Sequence, residues 1–325
     1  LLRHTAKELA KEWVDRLEKD DKIWDQNAFN DLFRLGAGFN QKDEANVFSG
    51  YRGKLKIGIL PVSTFASGHT YFVQRMFEKV KQEPYVIHAT FQFSGTEGKR
   101  HRLREALVWS DPPEYYDPAG GLLTFVTDVP AELLQNSGSV EGHFALVNHQ
   151  LLQVRAALAF AQKLGRTLVM PKLYCGFDRW WAPHSGRIPG SDTELPYLCP
   201  MDHVFEVESW VRDEPEAAFG PGIDFREYSF FDNPAVPEAV NASTVEVELV
   251  ESCDWEKCTQ KIGGVAPKET SKVVANTKLT DVDVENLLRE HKDAKVVRFS
   301  TMVGAFGGFV DDEDVTKFSK RLKKY

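Results

Sequence analysis

The sequence predicts an α/β protein of two domains, and three observations support this fold class. Strand, loop and helix patterns alternate between residues 54 and 109, as layered α/β structure requires. The stretch SDPPEYYDPAGG at residues 110–121 holds three prolines and two terminal glycines, which break helices and strands alike. Beyond it, a strand, a long helix and the strand RTLVMP form a β-α-β unit. We therefore expect one α/β domain over residues 1–112 and a second over residues 113–325.

Length and composition agree with a globular protein of this size. The chain has 325 residues, of which 42% are hydrophobic and 27% charged, so sizeable cores are expected. The net charge of −8 argues against nucleic-acid binding, which needs a broad basic face. The sequence contains no run of 18 apolar residues, so it predicts no membrane span. The best candidate, AALAFAQKLGRTLVM, is interrupted by polar side chains. Any anion site must therefore be local.

Helical spacing and turn signals predict the elements of the first domain. Thr5 and Glu8 have capping-box spacing before an apolar stripe, which indicates a helix. A second helix follows, for which Asp21 or Asp25 is the expected N-cap. The expected order is a helix over about 5–19, a helix stopped by Gly36, a polar loop over 37–53, a strand over 54–61, a helix over 71–81, a strand over 85–93 and a helix over 98–109.

The second domain is expected to continue with mixed helices and strands. HFALVN predicts a short strand, residues 149–165 a buried helix and RTLVMP the next strand. The later stretches DHVFEVESWV, EVELV, DVENLLREH and KVVRFS continue the pattern. Residues 252–280 are polar and irregular, so we expect a surface loop there.

The stretch YVIHATFQFSGTEGKRHRLREALVW, residues 85–109, carries the strongest chemical signal. His88 ends a strand, where open α/β sheets collect ligands and where a neutral imidazole can bind a divalent metal. A glycine-bearing loop with Gly95 then enters a helix, whose free N–H groups and Lys99 could hold phosphate. The basic or imidazole residues on this helix are Lys99, Arg100, His101, Arg102 and Arg104. Taken alone, the pattern fits either a metal–diphosphate site or a core histidine followed by a solvated basic helix.

Four cysteines and one sequon bear on the compartment. Cys175, Cys199, Cys253 and Cys258 form no CxxC motif or zinc set, so two lumenal disulfides or four buried thiols would both fit. The candidate pairs are Cys253 with Cys258 and, on weaker grounds, Cys175 with Cys199. Asn241 begins an Asn-Ala-Ser glycosylation sequon, which matters only in a secretory compartment.

Several stretches together carry a family resemblance over residues 22 to about 234, while residues 235–325 match loosely. They are KIWDQNAFND, SGHTYFVQ, EPYVIHATFQFSGTEGKRHRLREA, DPPEYYD, GRTLVMPKLYC, CPMDHVFEV and FGPGIDFREYSFFDNP. The sequence resembles the nucleotide-diphospho-sugar transferases of glycosyltransferase family 77, and within them the plant extensin arabinosyltransferases.

The resemblance implies a GT-A-type domain that uses a UDP-sugar and a divalent cation, Mn²⁺ or Mg²⁺. The Asp-x-Asp motif of the family lies upstream of the WDQ helix and is absent here, and DVDVE at 281–285 is expected to start a helix instead. Residues 1–112 are therefore expected to be the C-terminal half of the GT-A domain. The chain starts at Leu1, so we expect a piece of a longer Golgi-lumen protein that is inactive alone and anchored by a missing N-terminal segment.

The family motifs assign roles to matching residues. In WDQ, Asp25 is expected to face the reacting sugar or acceptor hydroxyl and Gln26 to hydrogen-bond the sugar. The alternatives are a simple N-cap and an exposed helix residue. His88 corresponds to the metal-binding histidine.

Four further residues are expected to bind the donor. Lys99 corresponds to the phosphate-binding lysine that follows the glycine loop, which includes Gly95. Gly68 and His69 belong to SGHTYF, where His69 is expected to line the donor pocket or else to pack under the following helix.

The second domain resembles fucosyltransferase-type, Rossmann-like α/β domains. The resemblance places Asn148, His149 and Arg155 near a strand end. An accessory sugar-recognition role and a purely packing role are both open, and we favour packing. The loop with Asp178, Arg179, Trp180, Trp181 and His184 could contact a glycan or pack on the domain surface.

The implied function is transfer of a pentose, L-arabinofuranose, from a UDP-sugar to an arabinose on a hydroxyproline-rich cell-wall glycoprotein (extensin). The reaction would be retaining and metal-dependent. The alternative is a non-catalytic glycan-binding or scaffold fragment.

Overall fold

The computed structural model describes residues 3–37, 47–178, 186–188, 190–211, 223–251 and 271–322. The chain divides into two compact units, residues 1–65 and 66–325. The domain boundary that the sequence predicts between residues 112 and 113 stays a prediction. The two compact units divide at residue 65, and residues 66–112 pack within the larger unit. None of the described helices is both long enough and apolar enough to cross a bilayer.

The smaller unit packs two helices and a hairpin around a small core. Leu9 and Leu32 are fully buried with Tyr51, which follows the first strand of the hairpin. The antiparallel hairpin pairs Val47 with Gly58. The elements are α1 (Lys7–Lys19), α2 (Asp25–Arg34), β1 (Val47–Gly50) and β2 (Leu55–Gly58).

The expectations for this unit are confirmed for both helices and for the strand at 55–58. The N-cap of α2 is Trp24, and Asp25 is the first helical residue rather than the cap. β1 lies in the expected polar loop over residues 37–53. Its sequence, VFSG, is too short to show alternation, and pairing with β2 creates the strand.

The larger unit is an α/β structure, which confirms the predicted fold class. Its first part contains β3 (Phe65–Ser67), a π-helical turn (His69–Val73), α3 (Met76–Val80), β4 (Val86–His88), α4 (Gly95–Glu105) and α5 (Pro113–Tyr116). Its second part contains β5 (Leu122–Phe125), α6 (Ala131–Gln135), α7 (Val140–Leu164), β6 (Thr167–Val169), β7 (Leu173–Cys175), β8 (Tyr197–Cys199), α8 (Val207–Val211) and β9 (Phe225–Arg226). Its last part contains α9 (Glu238–Ala242), β10 (Thr244–Val250), β11 (Ser271–Asn276), β12 (Leu279–Thr280), α10 (Asp281–Leu287), β13 (Val296–Phe299), β14 (Phe306–Gly308) and α11 (Asp312–Leu322).

A six-stranded sheet forms the centre of this unit, in the order β11-β10-β13-β5-β6-β9. Every neighbouring pair is parallel. The residues of β5 and β6 are all buried, as parallel strands covered on both faces require. The chain adds strands outward from β5 through β6 to β9 in one direction and from β10 to β11 in the other, and β13 is inserted between β10 and β5.

The long helix α7 packs against the sheet and supplies much of the core. Residues 156–161, AALAFA, are all buried because the helix is covered on most sides. The Ser139 hydroxyl accepts a hydrogen bond from the Gly142 N–H and caps the first turn. Gly165 ends the helix at φ +63°, a left-handed conformation that glycine adopts without strain.

Two sequence expectations for this unit are wrong. HFALVN is not a strand, because residues 140–164 are one helix that begins at the Ser139 cap. The strand before it is β5, within GLLTFV. Residues 271–280 are not loop, because they hold β11 and β12; residues 252–270 lie outside the described part of the chain. Short apolar runs do not distinguish helix from strand by periodicity, and pairing with neighbours decides them.

Cys175 and Cys199 form a disulfide that joins β7 and β8. The two strands are antiparallel, with Leu173 opposite Cys199 and Cys175 opposite Tyr197. The weaker of the two predicted pairings is therefore confirmed. Cys253 and Cys258 lie outside the described residues.

Candidate functional site

The expected donor-site residues of the larger unit lie on β3, β4, the π-helical turn and α4. β3 and β4 form a two-stranded sheet. Gly68 and His69 follow β3, and His88 ends β4. Gly95 and Lys99 lie on α4, with Gly95 as its first residue. The structure thus brings Gly68 and His88 to the ends of paired strands.

Gly68 and His88 are linked through Thr90. The Thr90 hydroxyl accepts a hydrogen bond from the Gly68 N–H at 3.3 Å and donates to the His88 carbonyl at 3.2 Å. A Cβ added at Gly68 would lie 2.1 Å from the Thr90 carbonyl oxygen, a distance that real Cβ atoms do not show. Close backbone packing therefore explains this glycine, whether or not a donor also approaches it.

His69 is buried and bonded to a carboxylate. Its ring is 5% exposed, and its Nε2 lies 2.6 Å from Oδ2 of Asp178, which is fully buried. Phe91 packs edge-on against the imidazole at 6.2 Å between ring centroids. The pairing fastens the π-helical turn to the segment after β7. It favours the packing alternative, and donor contact by His69 stays a prediction.

The basic residues of α4 are mostly used inside the protein. The Arg100 guanidinium pairs with Glu97 at 2.9 Å, and Arg104 pairs through Nε with Asp111 at 2.8 Å. His101 is 3% exposed, with Nε2 3.5 Å from Glu105. Lys99 is exposed to solvent on the same helix. Of the two alternatives left open, a fully solvated basic face is wrong for this helix, because four of the five side chains are paired with acidic residues or buried.

Arg102 forms a buried ion pair with Asp202. The Arg102 Nε donates to Asp202 Oδ1 at 2.8 Å, and both side chains are 1% exposed. The second carboxylate oxygen, Oδ2, accepts the Phe93 N–H at 2.8 Å. Asp202 thereby fastens both α4 and the loop before it to the 3₁₀ turn at Met201–His203. Nη1 and Nη2 of Arg102 have no hydrogen-bond partner in the described part of the chain.

A second polar pair lies in the same segment. The Tyr197 hydroxyl and Nδ1 of His203 are 2.9 Å apart. Burial, together with the nearby carboxylates of Asp178 and Asp202, raises the pKa of Tyr197 well above its ordinary value. This phenol is therefore neutral at physiological pH and contributes hydrogen bonding rather than charge.

The amino end of α4 faces a carboxylate of the protein itself. Gly95 has φ +53°, and a Cβ there would lie 2.5 Å from Oε2 of Glu208 on α8. An anion next to free N–H groups is stabilised at a helix start. Glu208 therefore takes the position next to Gly95 that the sequence suggested for phosphate. Lys99, one turn further along, stays exposed.

Asp25 and Gln26 lie in the smaller unit on the first turn of α2. Asp25 Oδ1 accepts the Gln26 N–H at 2.7 Å, and the Gln26 side-chain amide donates to Asn30 at 3.2 Å. Both residues are exposed, and Trp24 beside them is 75% exposed. Their side chains are thus open to an external ligand, which leaves the expected catalytic role as a prediction. Sequence reasoning did not assign a role to the exposed indole of Trp24.

The metal expectation rests on His88, whose side chain is exposed at the end of β4. Across the described ranges, no group of three or more histidine, cysteine or acidic residues is arranged to hold a metal ion. His88 therefore fits one ligand position at most, and the described residues do not form a complete divalent-cation site.

The expected second-domain residues have different environments, and Asn148 is exposed on α7. His149 is inside α7, and its Nε2–H donates to the Asp128 carbonyl at 2.8 Å, which holds the loop after β5. Arg155 lies over the Phe318 ring at 5.6 Å. Of the loop expected near residues 178–184, Asp178 alone is among the described residues.

A small cavity of about 140 Å³ adjoins α4 and β9. Tyr115 lies there between two guanidinium groups, 4.4 Å from Arg104 and 3.9 Å from Arg226. Its hydroxyl donates to Glu227 at 2.6 Å. Sequence spacing could not find this cluster, because Arg226 and Glu227 lie more than 100 residues away from Tyr115 in the chain.

The parallel sheet and the strand–glycine–helix segment define the larger unit as an α/β structure, which is consistent with the fold of nucleotide-sugar transferases. Residues 3–103 match the nucleotide-diphospho-sugar transferase family. The chain is 47% identical, over 325 residues and 99% of its length, to Arabinosyltransferase XEG113 of Arabidopsis thaliana. The resemblance derived from the sequence motifs is confirmed at this level.

The chain spans about half, 49%, of the length of that relative. No solved structure matches this chain. The identity extends through both compact units, so the relationship covers the second α/β part as well as the family-matched segment.

Proposed function

We propose that the complete protein containing this chain transfers L-arabinofuranose from a UDP-sugar to an arabinose of the O-glycan on hydroxyproline-rich extensin, with retention at the anomeric carbon. The observation that carries the proposal is the 47% identity to an arabinosyltransferase along 99% of the chain. The family match over residues 3–103 supports a nucleotide-sugar donor.

The residues given roles in this proposal are exposed in the structure. Asp25 would orient the acceptor hydroxyl by accepting its hydrogen bond, because the carboxyl group is exposed on the first turn of α2. Gln26 would hydrogen-bond the sugar. Lys99 would stabilise the leaving diphosphate, on which negative charge develops. His88 would supply one ligand to Mn²⁺ or Mg²⁺, the other ligands coming from outside the described residues.

The proposed compartment is the Golgi lumen. The Cys175–Cys199 disulfide supports it, because such bonds persist in oxidising compartments. Asn241 of the glycosylation sequon is exposed on α9, where a glycan could be accommodated.

The test is a donor screen on the full-length protein with hydroxyproline-linked arabinose as acceptor. UDP-arabinofuranose should be the best donor, and activity should require a divalent cation. His88→Ala should abolish cation-dependent hydrolysis of the UDP-sugar while the melting temperature is unchanged, since an exposed side chain is removed.

Two results would contradict the proposal. Full activity of His88→Ala would remove the metal assignment. Absence of transfer from every UDP-sugar, with binding of glycans retained, would instead favour a non-catalytic glycan-binding or scaffold role.

A further inference from the structure

A cavity of about 430 Å³ lies in the larger unit, beside the carboxyl end of α4. Its walls come from the π-helical turn, α3, the end of α4, β8 and the segment after β9. The volume lies within the range of about 300–1,000 Å³ that is typical of small-molecule pockets. None of the donor-site candidates of this unit lines it, so the cavity is a separate place for a ligand.

Aromatic side chains form much of its wall. The rings of Tyr71 and Phe77 stack at 4.6 Å between centroids, and Phe72 meets Tyr71 edge-on at 5.1 Å. Tyr228 contributes a fourth ring. Flat apolar faces with polar tips suit ligands that are partly apolar and partly hydroxylated.

The two tyrosine hydroxyls are available to a ligand. Neither the Tyr71 nor the Tyr228 hydroxyl has a hydrogen-bond partner in the part of the chain that the structure describes. Burial raises the pKa of both phenols, so each stays neutral and can both donate and accept a hydrogen bond.

The charges that line the cavity do not suit a diphosphate. Arg75 and Lys172 are outnumbered by three acidic side chains. The Arg75 guanidinium also donates through Nε and Nη2 to Glu78 and is thereby neutralised. The acidic side chains are Glu83, Glu105 and Asp232. A nucleoside diphosphate would meet net repulsion here, whereas a neutral polyhydroxyl ligand would find both donors and acceptors.

We propose that this cavity binds a carbohydrate, and specifically sugar rings of the acceptor glycan. The aromatic rings would pack against the apolar faces of the sugar, and Tyr71, Tyr228 and Lys172 would hydrogen-bond its hydroxyls. The identification of the sugar as the acceptor rests on the proposed transferase function, and the donor binds elsewhere.

The test is calorimetric titration of the full-length protein with two probes, hydroxyproline-linked arabinose and UDP. Removing both hydroxyls in Tyr71→Phe/Tyr228→Phe keeps the rings and their stacking. The affinity for the arabinoside should fall about tenfold, as expected for the loss of two hydrogen bonds, while the affinity for UDP is unchanged. Tyr174→Phe, which removes a phenol outside the cavity, is the matched control and should change neither affinity.

Leu107→Gly tests the apolar wall without endangering the fold. Leu107 lines the cavity at φ +59°, a left-handed conformation that glycine adopts more easily than leucine. The variant should therefore keep its melting temperature and lose affinity for the arabinoside. A second readout is the KM for acceptor, which should rise while the KM for donor stays constant.

Unchanged affinity for the arabinoside in both variants would overturn the inference. Loss of UDP affinity with arabinoside affinity retained would also overturn it, because the cavity would then belong to the donor. Loss of arabinoside binding in the variants of a protein that transfers no sugar would support the cavity and reject the proposed function.

Discussion

At the scale of single residues, two basic side chains on α4 have opposite environments. Arg102 is buried against Asp202, whereas Lys99 is exposed. Sequence spacing could not separate them, because Asp202, the partner of Arg102, lies 100 residues away in the chain. The helix is therefore both a structural clamp and a candidate contact for an anion.

Arg102→Ala should strongly destabilise the larger unit. The change leaves the Asp202 carboxylate buried without its cation, which costs about 3–5 kcal/mol. Urea unfolding of the variant measures the loss. Arg100→Ala, which removes a part-exposed pair with Glu97, should cost about 0–1 kcal/mol. Equal effects of the two changes would contradict the burial-based account.

Lys99→Ala should leave stability unchanged and weaken UDP binding. If Lys99 contacts the donor diphosphate, losing that charge-assisted contact should reduce affinity about tenfold to a hundredfold. Calorimetric titration of UDP into the full-length protein measures it. Arg100→Ala removes one charge from the same helix and is the matched control. Matched affinities for the two variants would show that Lys99 is only a surface residue.

At the scale of elements, ion pairs and hydrogen bonds fasten α1 to the hairpin of the smaller unit. The Glu12 carboxylate on α1 accepts hydrogen bonds from Nη1 and Nη2 of Arg52, each at 2.8 Å, and from the Tyr51 hydroxyl at 2.8 Å. The bond from Arg52, with that from Tyr51, lowers the pKa of Glu12 from 4.5 to about 2. The carboxylate is thus favoured in the folded state.

The smaller unit should lose stability as the pH falls from 4.5 towards 2. A lowered folded-state pKa means that the unfolded chain binds the proton first, so the stabilisation is present above 4.5 and is lost below it. Thermal unfolding monitored at a series of pH values measures this slope. Glu12→Gln should flatten the curve in this window. An unchanged curve in that variant would show that other carboxylates dominate.

Element boundaries show where sequence patterns succeed and where they fail. Periodicity located α1 and α2, whose apolar faces repeat at helical spacing. Periodicity misplaced the start of α7, because the run HFALVN is apolar enough to form either a helix or a strand. The cap at Ser139 and the burial of the helix against the sheet decide that run.

At the scale of the whole molecule, long-range contacts tie residues 66–112 to the second α/β part. Three of these contacts are the His69–Asp178 bond, the Arg102–Asp202 pair and the Met201 N–H donated to Glu105. They explain why the compact units divide at residue 65, although the proline-rich stretch at 110–121 reads as a boundary.

Removing the Cys175–Cys199 disulfide should destabilise the larger unit. The bond closes a loop across a sequence separation of 24 residues, for which chain entropy predicts about 3 kcal/mol. Denaturant unfolding of Cys175→Ala/Cys199→Ala measures the loss, and reductant should have little further effect on that variant at this site. Mass spectrometry that finds both thiols free in secretory-expressed protein would contradict the bond.

The sequence by itself determined the α/β class, the family resemblance and most helices, because these depend on local spacing and on motifs that stay intact along the chain. It offered the Cys175–Cys199 pair only as the weaker of two candidate disulfides, and the structure decided it. Only the tertiary structure shows which basic side chains of α4 are buried. It also shows that Gly95 faces Glu208 and that Tyr71 and Tyr228 line the same cavity. Such features join residues that lie about 100 or more positions apart. Their energies come from burial and pairing, which a one-dimensional pattern does not contain.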